Sequence, residues 1–455
     1  MSRHPRLQVV VGGLALLWSA GCGGGLPDRK PARAIIVVDI DTLRADHLGS
    51  YGYDRATSPN LDRFAGRAVQ FDWAFSQAPN TLPSQTSILT SLYPSTHLVL
   101  HDDDRLAPER DTLAEHLAAA GFSTGAFVDG GYLKPHFGLD QGFETYFDLN
   151  GGGLAEGEAR IASWLDAHRS EKFFLFLHTY DVHSPYAPPA PFRERFAALV
   201  APPTPGFEPT SEALEGIRIS QYSAAPLQLP ARDLAFAEAL YDGEIAYVDA
   251  WFGRLLTRLE ELGIADSTIV AVISDHGEEF AEHGSVLHEK LYTTVTHVPL
   301  LLRAPGGDRG SRISHSVETI DLAPTLLELA GVPVPPAMEG RSLAAHVAGG
   351  GAGEPPLGRP AIVESPFFGV QRGLLDDRHH LLLSLQSGRI ELFRYREDRQ
   401  EQRDLAGEEP DEVRRLVGEL RRWSRGRPAE RMLELEKVAL PPEVQESLRS
   451  LGYLR

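Results

Sequence analysis

Along much of the chain the apolar residues come in short unbroken runs rather than in alternation with polar ones. The clearest are Ile35 to Ile40, Phe122 to Val128, Phe173 to Leu177 and Ile269 to Ile273. Runs of this length, separated by stretches of helical periodicity, predict strands buried on both faces. The fold class they predict is α/β, a mostly parallel central sheet with helices on both sides. Three of the four runs end on ionisable groups: "VVDIDTLR" at Asp41, "FLFLHTYDVH" at His178 to His183, and "AVISDHGEE" at Asp275 and His276. Ligands of open α/β sheets bind beyond the carboxyl ends of the strands, so these distant segments are expected to converge.

A different pattern occupies "APNTLPSQTSILTSLYP", Ala78 to Pro94. Pro83 fixes φ near the helical value and suits a first helical turn, with Ile88, Leu89 and Leu92 as the buried stripe behind it. Thr81 is then expected just before the helix, where unpaired amides and partial positive charge can hold an anion. Taken alone, Thr81 or Ser84 reads first as a residue that satisfies backbone amides. Between Pro188 and Pro230 the chain is proline-rich without sustained periodicity, a surface excursion that reads as a lid or an insertion. A second break, "VAGGGAGEPPLG" at 347–358, precedes a smaller unit in which "HHLLLSL" and "RIELFRY" read as antiparallel strands, followed by a charged helix from Glu408 to Arg427.

Composition narrows the partners. The chain has 455 residues, 42% of them hydrophobic, enough for a large core, and a formal net charge of -19 that argues against nucleic acid as a partner. Arg3, His4 and Arg6 precede an apolar stretch from Leu7 to Trp18 that ends at "SAGC", which reads as an export signal too short to span a bilayer. Cys22 is the only cysteine, so no intramolecular disulfide can form. The segment resembles a bacterial lipoprotein signal, although Ser19 stands where leucine is usual. That resemblance implies a lipidated Cys22, a membrane anchor and a location in the cell envelope facing the periplasm. The expected divisions are 1–21 as signal peptide, 22–33 as linker, 34–346 as catalytic domain and 359–455 as a C-terminal α+β subdomain.

An Asp at one strand end and an Asp-His pair at another supply hard oxygens and an imidazole, a set that suits one divalent cation. Asp41, Asp275 and His276 are the expected ligands, with Thr81 as neighbour. Slow ester hydrolyses call for accelerations of up to about 10²¹, whereas a helix terminus supplies at most about 2 kcal/mol. Thr81 could not act unaided, and a cation that lowers the proton affinity of a bound hydroxyl would supply several kcal/mol more.

The segments "DTLRADHLGSYGY", "TSPNLDRFA", "TLPSQTSILTSLYP", "ALYDGEIAYVD", "SDHGEEFAEHG" and "IDLAPTLLELAGV" occur in family order. Together they resemble the sulfatase branch of the alkaline phosphatase superfamily, from about Ile35 to Leu343 and again through "ESLRSLGYLR". The resemblance implies a divalent metal and hydrolysis of anionic esters through a covalent intermediate on the enzyme. It places Asp41, Asp275 and His276 on metal-ligand positions and Thr81 on the nucleophile. His183 falls on a histidine that contacts substrate or leaving group, and His288, or Lys290 beside it, on a position that grips the anionic oxygens. Two departures stand out: threonine cannot become the formylglycine of true sulfatases, and Gln85 replaces the arginine of the motif's substrate-binding end. Ser91, where glycine is usual, and Asp39 are further anomalies. Two other readings remain open at this point. One is a two-metal phosphodiesterase or phosphotransferase, although Asp181 and His183 are only two residues apart; the other is a non-catalytic surface binding protein. The ion (calcium, magnesium, manganese or zinc), the natural ester and the oligomeric state are left undecided.

Overall fold

A computed structural model describes residues 32–222, 229–306, 310–348, 358–367 and 370–427, together with 441–442 and 445–446. The export signal, Cys22 and the terminal "ESLRSLGYLR" segment lie almost entirely outside the described residues. The strands, in chain order, are β1 (Ala34–Ile40), β2 (Val69–Phe75), β3 (Ser123–Val128), β4 (Thr145–Asp148), β5 (Phe173–Thr179), β6 (Thr268–Ile273), β7 (Glu279–Phe280), β8 (Val286–Leu287), β9 (His297–Arg303) and β10 (Ser311–Glu318). They are followed by β11 (Ala361–Ser365), β12 (Gln371–Leu375), β13 (His380–Ser384) and β14 (Ile390–Phe393).

Eight strands form the central sheet in the order β10-β2-β9-β6-β1-β5-β3-β4. All are parallel except β9, which runs against both β2 and β6. The four apolar runs are β1, β3, β5 and β6, neighbours at the centre. Every residue of β1, β5 and β6 is buried, which is why these strands show no polar alternation. Two apolar layers cover the sheet, one including Ile35, Phe174 and Leu326, the other including Ile36, Leu175 and residues of the long helix Ala231–Glu261 such as Trp251.

The helix Thr81–Thr90 starts at Thr81 itself, with Asn80 in extended conformation before it. The expected apolar stripe is only part of its contact surface, because all ten residues are buried. Its hydroxyls are accommodated locally: Thr86 and Thr90 donate to the carbonyls of Leu82 and Thr86, and Ser87 meets His97 Nε2 at 3.0 Å. The 188–230 excursion carries two helices, Phe192–Ala197 and Ser211–Tyr222, and the first packs on the long helix.

β11 to β14 form a separate antiparallel sheet, with β13 and β14 in the two segments expected to pair and the charged helix observed at Pro410–Trp423. This sheet packs against the main one. Trp73 and Phe75 of β2 share a cluster with Val363, Leu375 and Tyr395, while Tyr93 and Ile320 join Leu374, Leu392 and Leu416. Arg359 ties the two together by pairing with Glu318 at 2.8 Å and with Asp321.

Ser91 closes the helix Thr81–Thr90 at φ 58°, in the left-handed region where a side chain is disfavoured. Its hydroxyl donates to Ile320 O at 2.7 Å and accepts from Gly340 N at 3.1 Å, interactions a glycine cannot make. Any side chain on Gly340 would in turn overlap the Ile320 carbonyl. Ser91→Ala, which keeps the backbone cost and loses both hydrogen bonds, is expected to destabilise the fold by about 2 kcal/mol. Ser91→Gly loses the bonds but relieves the backbone, so it should cost less than Ser91→Ala in urea unfolding.

Candidate active site

The carboxyl ends of β1, β2, β5 and β6 lie on the same side of the sheet, and the expected residues meet there. β1 hands the chain to Asp41 and β6 to Ser274, Asp275 and His276. The backbone after β1 turns sharply at Thr42, φ 56°, and is held by Asp275 Oδ1, which accepts from Thr42 N at 3.4 Å and from His276 N at 2.8 Å. Ser274 Oγ adds a bond from Leu43 N at 2.9 Å, so the two strand ends are fastened to each other.

Thr81 Oγ1 donates to Asp41 Oδ2 at 3.2 Å and lies 3.2 Å from His276 Nε2. His276 Nδ1 donates to Gly277 O at 3.0 Å, which leaves the Nε2 lone pair facing Thr81 and Asp41. Nε2 is 3.6 Å from Asp275 Oδ2 and 4.0 Å from Asp41 Oδ1. Asp41, Asp275 and His276 each offer one donor atom within 4.8 Å of the others, the one such group among the described residues. Asp41 Oδ1 and Asp275 Oδ2 are buried without a hydrogen-bond partner. Two bare carboxylate oxygens and an imidazole lone pair, all shielded from water, fit a hard divalent cation.

The electrostatics agree. Burial pushes the Asp41 carboxyl well above its ordinary value, and the charges of Asp275 and Asp39 push the same way; Asp39 is raised for the same reasons. A bound cation reverses that tendency. His178, the register partner of Asp39 on β5, has Nε2 3.5 Å from Asp41 Oδ2, and burial, with His276 nearby, takes its imidazole down to about 3.

His183 and His288 complete the wall. Their rings lie 5.2 Å apart, and that of His288 is 4.2 Å from His276. His183 Nδ1 donates to Ser184 O at 2.6 Å, and burial, with His288 beside it, lowers its imidazole to about 3. His288 Nδ1 is 3.1 Å from Glu278 Oε1, while Tyr186 donates to the other Glu278 oxygen at 2.9 Å. Burial raises Glu278 to about 7.

Two expected site residues point elsewhere. Lys290 Nζ donates to His283 O at 2.8 Å and borders a cavity shared with Tyr292, Arg389 and Gln371 of the C-terminal sheet side. Gln85 is turned beneath the cluster, where its Nε2 donates to Asp39 Oδ2 at 2.7 Å. The anomalous Asp39 and the anomalous Gln85 are therefore partners. Asp181 bonds the Thr179 hydroxyl at 2.6 Å and packs against Gly153, so it is engaged away from His183. Sequence reasoning missed Tyr180 and Glu278, though both stand inside the quoted segments "HTYDVH" and "DHGEE". Tyr180 is buried edge-on to His178 at 4.8 Å and to His183 at 5.5 Å.

An α/β sheet of this topology, with a threonine hydroxyl beside an Asp-Asp-His group, has the architecture of alkaline-phosphatase-like ester hydrolases. A family model described as Sulfatase matches residues 33–156 and 158–332. The chain belongs to the sulfatase family and is a hydrolase acting on ester bonds. It is 26% identical over 373 residues to an arylsulfatase of Clostridium perfringens, covering 68% of this chain and 77% of that protein. To the extracellular sulfatase SULF-1 homolog of Drosophila melanogaster it is 25% identical over 405 residues, which is 75% of this chain but 36% of the longer relative. The phosphonate monoester hydrolase SpPMH of Silicibacter pomeroyi shares the fold at a TM-score of 0.71 and 21% identity, with 88% of this chain and 96% of that one covered.

The loop after His183 is pinned by Glu244 of the long helix, whose Oε1 accepts from Ala187 N at 2.8 Å. Burial, with the charge of Asp181 adding to it, pushes Glu244 up to about 9 from 4.5. Between those values the folded chain holds a proton there that the unfolded chain has released. The stability from this carboxyl is complete below the unfolded value and is lost as pH rises towards 9, at up to about 1.4 kcal/mol per pH unit. Glu244→Gln should therefore flatten the decline of unfolding free energy between pH 5 and 9. Parallel curves for variant and wild type would contradict the assignment.

Proposed function

We propose that the protein is an exported, metal-dependent hydrolase of phosphate, phosphonate or sulfate esters that works through a covalent intermediate on Thr81, with phosphorus esters preferred. The observation that carries the reading is the Thr81 hydroxyl at the first turn of a buried helix, 3.2 Å from both Asp41 Oδ2 and His276 Nε2 and beside two unpartnered carboxylate oxygens. Asp41, Asp275 and His276 would hold one divalent ion. When bound, it supplies positive charge that favours the alkoxide form of a neighbouring hydroxyl and neutralises anionic ester oxygens.

The chain's own groups then have distinct tasks. Thr81 Oγ1 gives its proton towards Asp41 Oδ2 and forms a bond to the phosphorus or sulfur as the bond to the ester oxygen breaks. The leaving alcohol departs with a proton taken up by His183 Nε2 on substrate binding; water later cleaves the Thr81 ester, giving one proton back to His183 while Asp41 returns its own to Thr81 Oγ1. His183, neutral in the resting enzyme with Nδ1–H on Ser184, presents Nε2 to the pocket; an anionic substrate raises its proton affinity and lets it serve the leaving group. His288, oriented by Glu278, faces the anionic oxygens. Threonine supplies an alkoxide rather than an aldehyde hydrate, which favours phosphorus chemistry.

Export and anchoring rest on the "SAGC" segment, and relatives include an extracellular sulfatase. No helix among the described residues is long and apolar enough to cross a membrane, so attachment would fall to a lipid on Cys22. The mass of the mature chain and its partition into detergent test this; an unmodified Cys22 refutes it.

A panel of 4-nitrophenyl phosphate, 4-nitrophenyl phenylphosphonate, bis(4-nitrophenyl) phosphate and 4-nitrophenyl sulfate, run with added divalent ions, should show turnover greatest on a phosphorus ester. Thr81→Ala is expected to lose at least about 10³ in kcat on that ester. Full turnover in the variant would remove Thr81 from the mechanism, and inactivity of the wild type on every ester would favour a binding role. Elemental analysis should find one equivalent of a divalent metal per chain, reduced by Asp275→Asn. Two equivalents in the wild type would support the two-metal reading instead.

A further inference from the structure

Lys290 and His283 have no part in the reaction proposed for Thr81, yet they meet at a cavity of about 370 Å³ where the main domain joins the C-terminal sheet. That size falls in the range of small-molecule pockets. The main domain contributes His283, Lys290 and Tyr292, and the sheet contributes Ser384 at the end of β13 with Arg389 and Glu391 around the start of β14. Consecutive glutamates serve two different histidines here. Glu278 holds His288 in the wall of the Asp-Asp-His centre, whereas Glu279 Oε1 meets His283 Nδ1 at 2.6 Å.

The other nitrogen of His283, Nε2, is buried without a hydrogen-bond partner, on a side chain that is only 9% exposed. A buried polar group left in that state costs stability unless a ligand or water fills its place. The ring is stacked on Tyr292, with centroids 3.4 Å apart and planes within 9°, so it has little freedom to turn towards another partner. Burial opposes the charged form, but the hydrogen bond and charge of Glu279, with Glu401 beyond, raise the imidazole above its ordinary value even with Lys290 near. In the charged ring Nε2 carries a proton and calls for an acceptor.

The neighbours are donors as well. Lys290 Nζ gives one of its three protons to His283 O at 2.8 Å, and Arg389 Nη2 gives one of the five on its guanidinium to Glu391 Oε1 at 2.9 Å. Ser384 Oγ accepts from Ser387 Oγ at 2.8 Å, which leaves Ser384 its own proton to give. Glu391 is the one acidic side chain among the described residues that line the cavity, and its Oε1 also accepts from the Tyr292 hydroxyl at 3.1 Å. Positive groups therefore outnumber negative ones at this junction, in a chain whose formal net charge is -19.

We propose that the cavity is a second anion site, which takes a sulfate or phosphate group between His283 Nε2, Lys290 Nζ and the Arg389 guanidinium. A guanidinium fork beside an ammonium suits the spread charge of such an oxyanion. The site does not depend on which residue attacks the ester, so it stands apart from the reading of the reaction centre. Two sources share this chemistry: a free inorganic oxyanion, and a second acidic group on an ester held at the reaction centre.

Equilibrium dialysis of the metal-loaded full chain with radiolabelled sulfate tests the site. Lys290→Gln and Arg389→Gln should each weaken one equivalent of bound sulfate by at least about 10-fold, and the double variant should lose it. Unchanged uptake in a folded double variant would overturn the proposal. Crystals of the wild-type holoenzyme grown with sodium selenate give a test that needs no variant. An anomalous selenium peak within about 4 Å of Lys290 Nζ and the Arg389 guanidinium supports the site, and a cavity holding water alone refutes it. A heparin-derived disaccharide with several sulfates separates the sources. Competition with ester turnover that weakens in the double variant means that one molecule spans both sites. Displacement of the cavity sulfate without such competition means that the cavity takes separate anions. A wild type that cleaves no ester but binds the cavity sulfate would sink the proposed reaction and leave this site standing.

Discussion

Asp41 and Asp275 face each other inside the protein, far from water, each with an oxygen that nothing in the chain satisfies. Their like charges, with Asp39 behind them, oppose folding unless a proton or a cation intervenes. Much of the surrounding structure is arranged about that conflict. Thr42 adopts a strained turn so that its amide can reach Asp275, and His276 commits Nδ1 to a backbone carbonyl so that Nε2 is left for the same centre. Gln85 gives its amide to Asp39, a neutral partner where an arginine would bring full charge. Such a site is poor as a stabilising ion-pair network and well suited to one divalent ion.

The sheet provides the rigidity this arrangement needs. β1, β5 and β6 are adjacent, parallel and wholly buried, so their carboxyl ends have little freedom to shift relative to one another. The helix Thr81–Thr90 is buried all round and is stitched at its far end by Ser91 to Ile320 and Gly340, close to where the C-terminal sheet docks through Tyr93 and Arg359. Packing far from the chemistry thus sets the position of Thr81. The second sheet also meets the main domain near Lys290, which opens onto a cavity lined by residues of β12 and β13 rather than onto the Asp-Asp-His group.

Sulfatase membership and the hydroxyl at position 81 pull the chemistry in different directions, and geometry helps reconcile them. In the proposed scheme the attacking group is the Thr81 hydroxyl, and its ester would be cut by water with Thr81 Oγ1 as leaving group.

Much of the fold was legible because buried parallel strands leave uninterrupted apolar runs, and the four runs are the central strands β1, β3, β5 and β6. Asp41, Thr81, Asp275 and His276 were legible because each follows a strand or opens a helix, where position along the chain fixes position in space. The irregular turns after the strands carry no such periodicity. Whether Tyr180, Asp181 or His183 turns towards the centre depends on the path of the loop and on what packs against it: Gly153 and Thr179 claim Asp181, while His178 and His183 flank Tyr180. The same holds for His288 and Lys290, two residues apart and differently directed, and for Gln85, whose partner Asp39 lies on another strand. The chain alone decided which chemistry-bearing residues reach the end of the sheet. Tertiary packing decided which of their neighbours turn towards the Asp-Asp-His group, because side-chain direction in a turn is set by contacts between segments distant in sequence.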